Sequence, residues 1–159
     1  MVKRSVLIGA VVVIAVAAIA GFYLGFTYLV PQRRAITLDL REWAFNGLGY
    51  TNIQGGPVIR VKAGETIQVT VNNVGTMDHE FMVISKSDLE DLLKREITPG
   101  EEVHVSVIFE GADVDVEPGE SKTITFTVSN PGEYVYACLE TTPTLHAKNG
   151  MWGTFIVEP

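Results

Sequence analysis

Cys138 ends the stretch Tyr134-Val135-Tyr136-Ala137, and His146 and Met151 follow within the next fourteen residues. A thiolate, an imidazole and a thioether so close together form a soft to borderline donor set. That mixture points to copper rather than to magnesium, calcium or an open zinc site. Two consecutive antiparallel strands joined by a loop bring their ends together, so Cys138, His146 and Met151 can converge on one point. A second imidazole would complete a trigonal His₂Cys set with a weak axial Met, the ligands of an electron-transfer copper site. His79 fits, because it follows Asn72-Asn73-Val74-Gly75-Thr76-Met77-Asp78, where one strand breaks and another starts.

Taken singly, these residues read as structure. A free cysteine is most often a buried thiol, a methionine most often core, and a lone histidine often sits in a loop. Their joint occurrence in this order carries the metal reading. His104 alternates with Val103 and Val105 and faces away from them, so it is expected at the surface. Asp113, Asp115 and Glu117 lack calcium-loop spacing and read as a solvated strand face or loop.

The elements needed to position such a centre are strands. Residues 35–41 alternate apolar and polar with period two, and 58–62, 66–71, 79–84, 103–109, 123–128, 133–138 and 153–157 are further strand candidates. Ala63-Gly64-Glu65, Glu117-Pro118-Gly119-Glu120 and the segment 46–57 are turn-rich. One helix is expected, opening on a Ser87-Asp88-Leu89-Glu90 capping box and ending near Glu96. About eight strands at this spacing predict an all-β, Greek-key β-sandwich over residues 35–159.

Residues 1–34 differ in kind. No charged residue occurs from Ser5 to Val30, a run long enough to span a bilayer core, which takes about 20 apolar residues. We expect a single transmembrane anchor and short linker over 1–34, with Phe22, Tyr23, Phe26 and Tyr28 near an outer interface. A cleaved signal peptide, cut after Ala18-Ile19-Ala20, is the alternative. Either way the domain is expected outside the cytoplasm.

Residues 1–34 hold four of the 12 Lys and Arg and none of the 19 Asp and Glu, which leaves the remainder a net charge of −11. So acidic a domain is not built to bind nucleic acid through phosphates and should attract basic protein partners. Cys138 is the single cysteine among 159 residues, so no disulfide can form within the chain.

The region after the anchor resembles the plastocyanin/azurin superfamily, the cupredoxins. The residues that carry the likeness are Leu40-Arg41-Glu42-Trp43-Ala44-Phe45, Ile59 to Thr66, Asn72 to Gly75 before His79, Pro118-Gly119-Glu120, and Pro131-Gly132-Glu133 leading to Cys138. The resemblance implies a cupredoxin-like sandwich with one type 1 (blue) copper, His79, Cys138 and His146 equatorial and Met151 axial. It also implies that His146 is partly exposed as the electron exit, ringed by Pro143, Leu145 and Trp152. Two departures stand out: Glu80 occupies a place where plastocyanins often have Asn, and seven residues separate Cys138 from His146. A more tetragonal or Glu-assisted site stays open on that account.

The function expected is one-electron transfer by a membrane-tethered copper domain, with a cytochrome or an oxidase or reductase complex as redox partner. Copper chaperone, copper reservoir and accessory subunit are the rival readings. One cysteine rules out a dinuclear copper-A centre, and three histidines are too few for a trinuclear cluster. On these grounds the chain is expected not to be an enzyme and not to be a multicopper oxidase.

Overall fold

Residues 33–47 and 55–159 are described by a computed structural model. The expected transmembrane anchor, its cleavage alternative and its aromatic belt lie outside those residues. The compact unit runs from Arg33 to Pro159. Among the described residues no helix is long and apolar enough to cross a membrane.

Period-two alternation builds the first sheet from β1 (Arg33–Arg41), β2 (Ala44–Phe45), β4 (Thr66–Asn73) and β7 (Ser121–Thr127). Its spatial order is β2-β1-β4-β7. The second sheet contains β3 (Ile59–Lys62), β5 (His79–Ile84), β6 (Asp113–Val116), β8 (Gly132–Ala137) and β9 (Trp152–Glu158), in the order β3-β9-β8-β5-β6. Most pairs are antiparallel, but β1 runs parallel to β4 and β3 parallel to β9. These long-range pairings close the sandwich into the expected cupredoxin-like fold.

Between the sheets, Leu38, Leu40, Ile67, Val69 and Val71 face Phe81, Tyr136, Phe155 and Val157, all buried. Burying each of these large side chains contributes roughly 1.5–3 kcal/mol. Phe45 meets Tyr136 edge-on at 4.9 Å, Phe81 stacks on Tyr136 at 5.6 Å, and the Tyr136 hydroxyl donates to the Pro57 carbonyl at 2.6 Å. Opposite Tyr136 on β9 stands Gly153, where a Cβ would lie 2.2 Å from the phenol ring. Only glycine leaves that ring its place.

Helix α1 (Lys86–Lys94) covers the outer face of the second sheet, setting Leu89 and Leu92 against Ile84, Val135 and Ala137. Strand β8 is therefore buried on both faces near its end, with Tyr136 in the inter-sheet core and Val135 and Ala137 under the helix. That enclosure fixes where the following residue, Cys138, must point.

Several boundaries differ from expectation. Strand β1 starts at Arg33 rather than after a linker, because Arg33 and Arg34 pair in register with Thr66 and Ile67. The helix cap is Ser85, whose Oγ accepts from the Asp88 amide at 3.0 Å, not Ser87. Val103–Phe109 forms no regular strand. Its alternation still turns Val103 and Val105 onto the helix-side core, and the Ile108 amide donates to the Val83 carbonyl at 2.9 Å. Asp113 and Asp115 lie exposed on β6, the outer edge of the second sheet.

Candidate metal centre

Three buried donors meet at one end of the sandwich. His79 opens β5, Cys138 follows the last residue of β8, and His146 begins a short 3₁₀ turn (His146–Asn149). All three are fully buried, and their ligand atoms lie within 4.8 Å of one another. The Nδ1 atoms of His79 and His146 are 3.2 Å apart, and Cys138 Sγ is 3.2 Å from His146 Nδ1 and 3.8 Å from His79 Nδ1.

Met151 is also fully buried, in the same core cluster as Cys138. Its carbonyl accepts from the Cys138 amide at 3.1 Å, and its own amide donates to the His146 carbonyl at 3.3 Å. The chain from Cys138 to Met151 thus closes on itself by backbone hydrogen bonds, as two strand ends joined by a loop should.

The surroundings orient these donors. His146 Nε2 is 3.0 Å from the Thr142 carbonyl, an acceptor only, so Nε2 carries the proton and Nδ1 presents its lone pair. The backbone amide of Glu80 donates to Cys138 Sγ at 3.2 Å. The Glu80 carboxylate accepts from the Leu139 amide at 3.1 Å, so Glu80 ties the β5 end to the loop after Cys138. That is its occupation; it does not belong to the donor cluster. Asn73, buried under the approach to His79, donates to the carbonyls of Met77 and Val116 at 2.8 and 2.7 Å.

Charge states follow from burial. Burial pushes the Cys138 thiol well up, while the amides of Glu80 and Glu140 pull the other way. Burial lowers His79 to about 4, helped by the neighbouring His146, and burial lowers His146 as well. Burial also raises Glu80 to about 7, against the Leu139 amide and with repulsion from Asp115, Glu140 and Asp113. Both imidazoles are therefore neutral at ordinary pH and able to donate.

The donor set fits a copper ion. Two imidazole nitrogens and a sulfur converge at 3.2–3.8 Å, a soft to borderline donor set gathered on one point. Metal–nitrogen and metal–thiolate bonds of about 2.0–2.3 Å would space trigonal ligands at roughly such separations. The two nitrogens and one sulfur are those that suit copper. Among the described residues the one buried side-chain nitrogen or oxygen without a partner is His79 Nε2.

Two expectations about the surface fail. His146 is not partly exposed but fully buried, and Leu145 is 1 % exposed, turned into the helix-side core. Trp43 packs against His146, its ring meeting the imidazole edge-on at 4.6 Å and 77°. Trp43 sits with Glu42 in the two-residue turn between β1 and β2, and Glu42 is anchored by the amide and hydroxyl of Thr76. Sequence reasoning saw Trp43 only as part of an early strand. The signal it missed was a bulky aromatic at a hairpin tip. His104, by contrast, is exposed as expected, its side chain 79 % accessible.

A family profile described as multicopper oxidase matches residues 27–159. The chain belongs to the multicopper oxidase family. Copper is the metal of that family, and the His79–Cys138–His146 cluster is where the fold gathers donors for it. Copper-containing nitrite reductase of Neisseria meningitidis serogroup A is 27% identical over 122 residues, 77% of this chain. The chain spans only about a quarter of that relative's length, 26%. Dithionite-reduced auracyanin from the photosynthetic bacterium Roseiflexus castenholzii superposes with a TM-score of 0.59 at 25% identity, covering 82% of this chain and 100% of that one. Blue copper oxidase from Nitrosomonas europaea gives 0.54 at 23% identity, over 80% of this chain and 39% of that one.

The family match overturns two expectations from the sequence: that the chain is not an enzyme, and that its histidine count sets it apart from multicopper oxidases. The profile it matches is that of an oxidase family, and its relatives include reductases. Of the three histidines, two lie in the centre and one is exposed. Their number bears on how many centres this chain can hold, not on the family to which it belongs.

Proposed function

We propose that this chain holds one type 1 copper through His79, Cys138 and His146, with Met151 as a weaker fourth donor, and passes single electrons between redox partners. The observation that carries this reading is the convergence of both Nδ1 atoms on Cys138 Sγ in a fully buried pocket. When bound, copper supplies the one-electron Cu(I)/Cu(II) couple. The protein's part is to hold the donors still. The Thr142 carbonyl fixes His146, the Glu80 amide holds the sulfur, and the walls exclude water.

Likeness over the whole length of a protein studied in dithionite-reduced form supports a stand-alone electron carrier. Likeness to one part of longer reductases and oxidases supports a second reading, a module that relays electrons within a larger oxidoreductase complex. In both, the uncharged run from Ser5 to Val30 would tether the copper domain to a membrane, on the side away from the cytoplasm. A tether raises the effective concentration of membrane-bound partners. The net charge of −11 outside residues 1–34 favours basic docking surfaces.

Visible and electron paramagnetic resonance spectra of the Cu(II)-reconstituted full chain test the centre, beside a Cys138→Ser control. An intense thiolate-to-copper band that vanishes in the control supports the proposal. Ordinary tetragonal spectra that survive loss of Cys138 would sink it.

A further inference from the structure

The β1–β2 turn is built at some cost. In a two-residue hairpin turn with positive φ at its second position, that place usually goes to glycine or asparagine. Here it holds Trp43, with φ +66°, in the left-handed region where a bulky side chain is a rare, strained outlier. The turn is pinned rather than loose. Glu42 grips Thr76, and Gly75 makes room for it, since a Cβ there would lie 2.9 Å from the Glu42 carboxylate. On the other side the Trp43 carbonyl packs against Gly55, where a Cβ would lie 3.0 Å from it and 2.5 Å from the Gly150 carbonyl. Gly150 immediately precedes Met151. The strain thus sits in a turn clamped from both sides, and its product is the indole against His146 at 4.6 Å.

Trp43 is half-buried and its ring packs on the fully buried imidazole of His146, so it reaches from that ring toward the surface. We propose that Trp43 is a positioning and specificity residue that closes the His146 side of the centre to small anionic ligands and so keeps it to electron transfer. This rests on the copper reading above. An imidazole edge open to water would let a small anion approach the metal through the gap beside it. An indole set edge-on removes that gap and fixes the ring plane of His146. It also gives a docking partner an aromatic edge, not the bare ligand, as its nearest contact.

The test uses the full chain as wild type, Trp43→Ala and Trp43→Phe, with azide as the small anion. In the copper-loaded proteins, azide is expected to leave the thiolate band of wild type and Trp43→Phe unchanged and to shift that of Trp43→Ala saturably. In the metal-free proteins, diethylpyrocarbonate labelling mapped by peptide mass spectrometry should spare His146 in wild type and Trp43→Phe. Trp43→Ala should bring His146 close to the labelling rate of exposed His104. Azide binding to wild type, or labelling of wild-type His146 as fast as His104, would overturn the proposal even if Trp43→Ala fails to fold. So would a folded Trp43→Ala protein with both readouts unchanged. Absence of a thiolate band in wild type would instead count against the copper reading, and the metal-free labelling would still decide whether Trp43 covers His146.

Discussion

The amide of Glu80 donates to the sulfur of Cys138 at 3.2 Å, across 58 residues of sequence. The same residue's carboxylate accepts from the amide of Leu139, one position beyond the sulfur. One residue thus clasps the thiol-bearing strand end twice, through its backbone and its side chain. The backbone half survives any substitution short of proline.

The side-chain half predicts a split between two variants. Glu80→Gln keeps an acceptor for the Leu139 amide, whereas Glu80→Ala leaves that amide without its partner. Losing the partner of a buried donor costs about 1–3 kcal/mol, so Glu80→Ala should destabilise by that order and Glu80→Gln by clearly less. Urea unfolding of the metal-free proteins measures the difference, and equal losses would mean that the carboxylate does not hold the loop.

Met151→Leu is close to volume-conserving and should cost under about 1.5 kcal/mol of stability. The thiolate band should remain, because His79, Cys138 and His146 are untouched. Removing a weak thioether donor disfavours the oxidised ion, so the reduction potential should rise. Voltammetry checks the direction, and an unchanged potential would remove Met151 from the ligand set.

Glu42 gives the pH dependence. Partial burial would raise its carboxyl, but hydrogen bonds from the Thr76 amide, its own amide and the Thr76 hydroxyl outweigh burial and hold it at about 2, below an ordinary 4.5. A carboxylate lowered in the folded state contributes stability that is fully present above about 4.5 and lost as pH falls toward 2. Between those values the unfolded chain takes up the proton first. Glu42→Gln should therefore flatten the acid limb of the stability profile, and urea midpoints at pH 3 and pH 6 should differ less than in wild type.

Gly153→Ala should be far more damaging than a surface glycine change. The added methyl would lie 2.2 Å from the Tyr136 ring, so the ring must leave its place between the sheets. Overpacking of this kind costs about 1–3 kcal/mol or more. Thermal unfolding should show a clear loss, and Gly119→Ala, where a Cβ meets nothing within 4 Å, sets the baseline for a positive-φ turn glycine.

Much of the sandwich was legible because period two is a local signal. Strand β5 appears where it was expected, from His79 to Ile84, and β4 and β8 lie within a residue or two of expectation. Val103–Phe109 misled because alternation reports which face is buried, not whether a neighbouring strand supplies a ladder. The convergence of His79, Cys138 and His146 was legible because their residue types make sense together. Trp43 was not, because its meaning lies in a left-handed turn and a ring contact across 103 positions, neither of which has a sequence period. The expected partial exposure of His146 failed for the same reason: a ligand's exposure is decided by whatever folds over it.

Strand β1 runs from Arg33 to Arg41, and the turn that follows it packs on His146. Nine residues of strand at about 3.3 Å each make a strut roughly 25–30 Å long. The chain therefore enters the domain at one pole and delivers Trp43 at the other. Strand β1 is thus the stem of the domain, and the donors sit at the pole opposite its first residue.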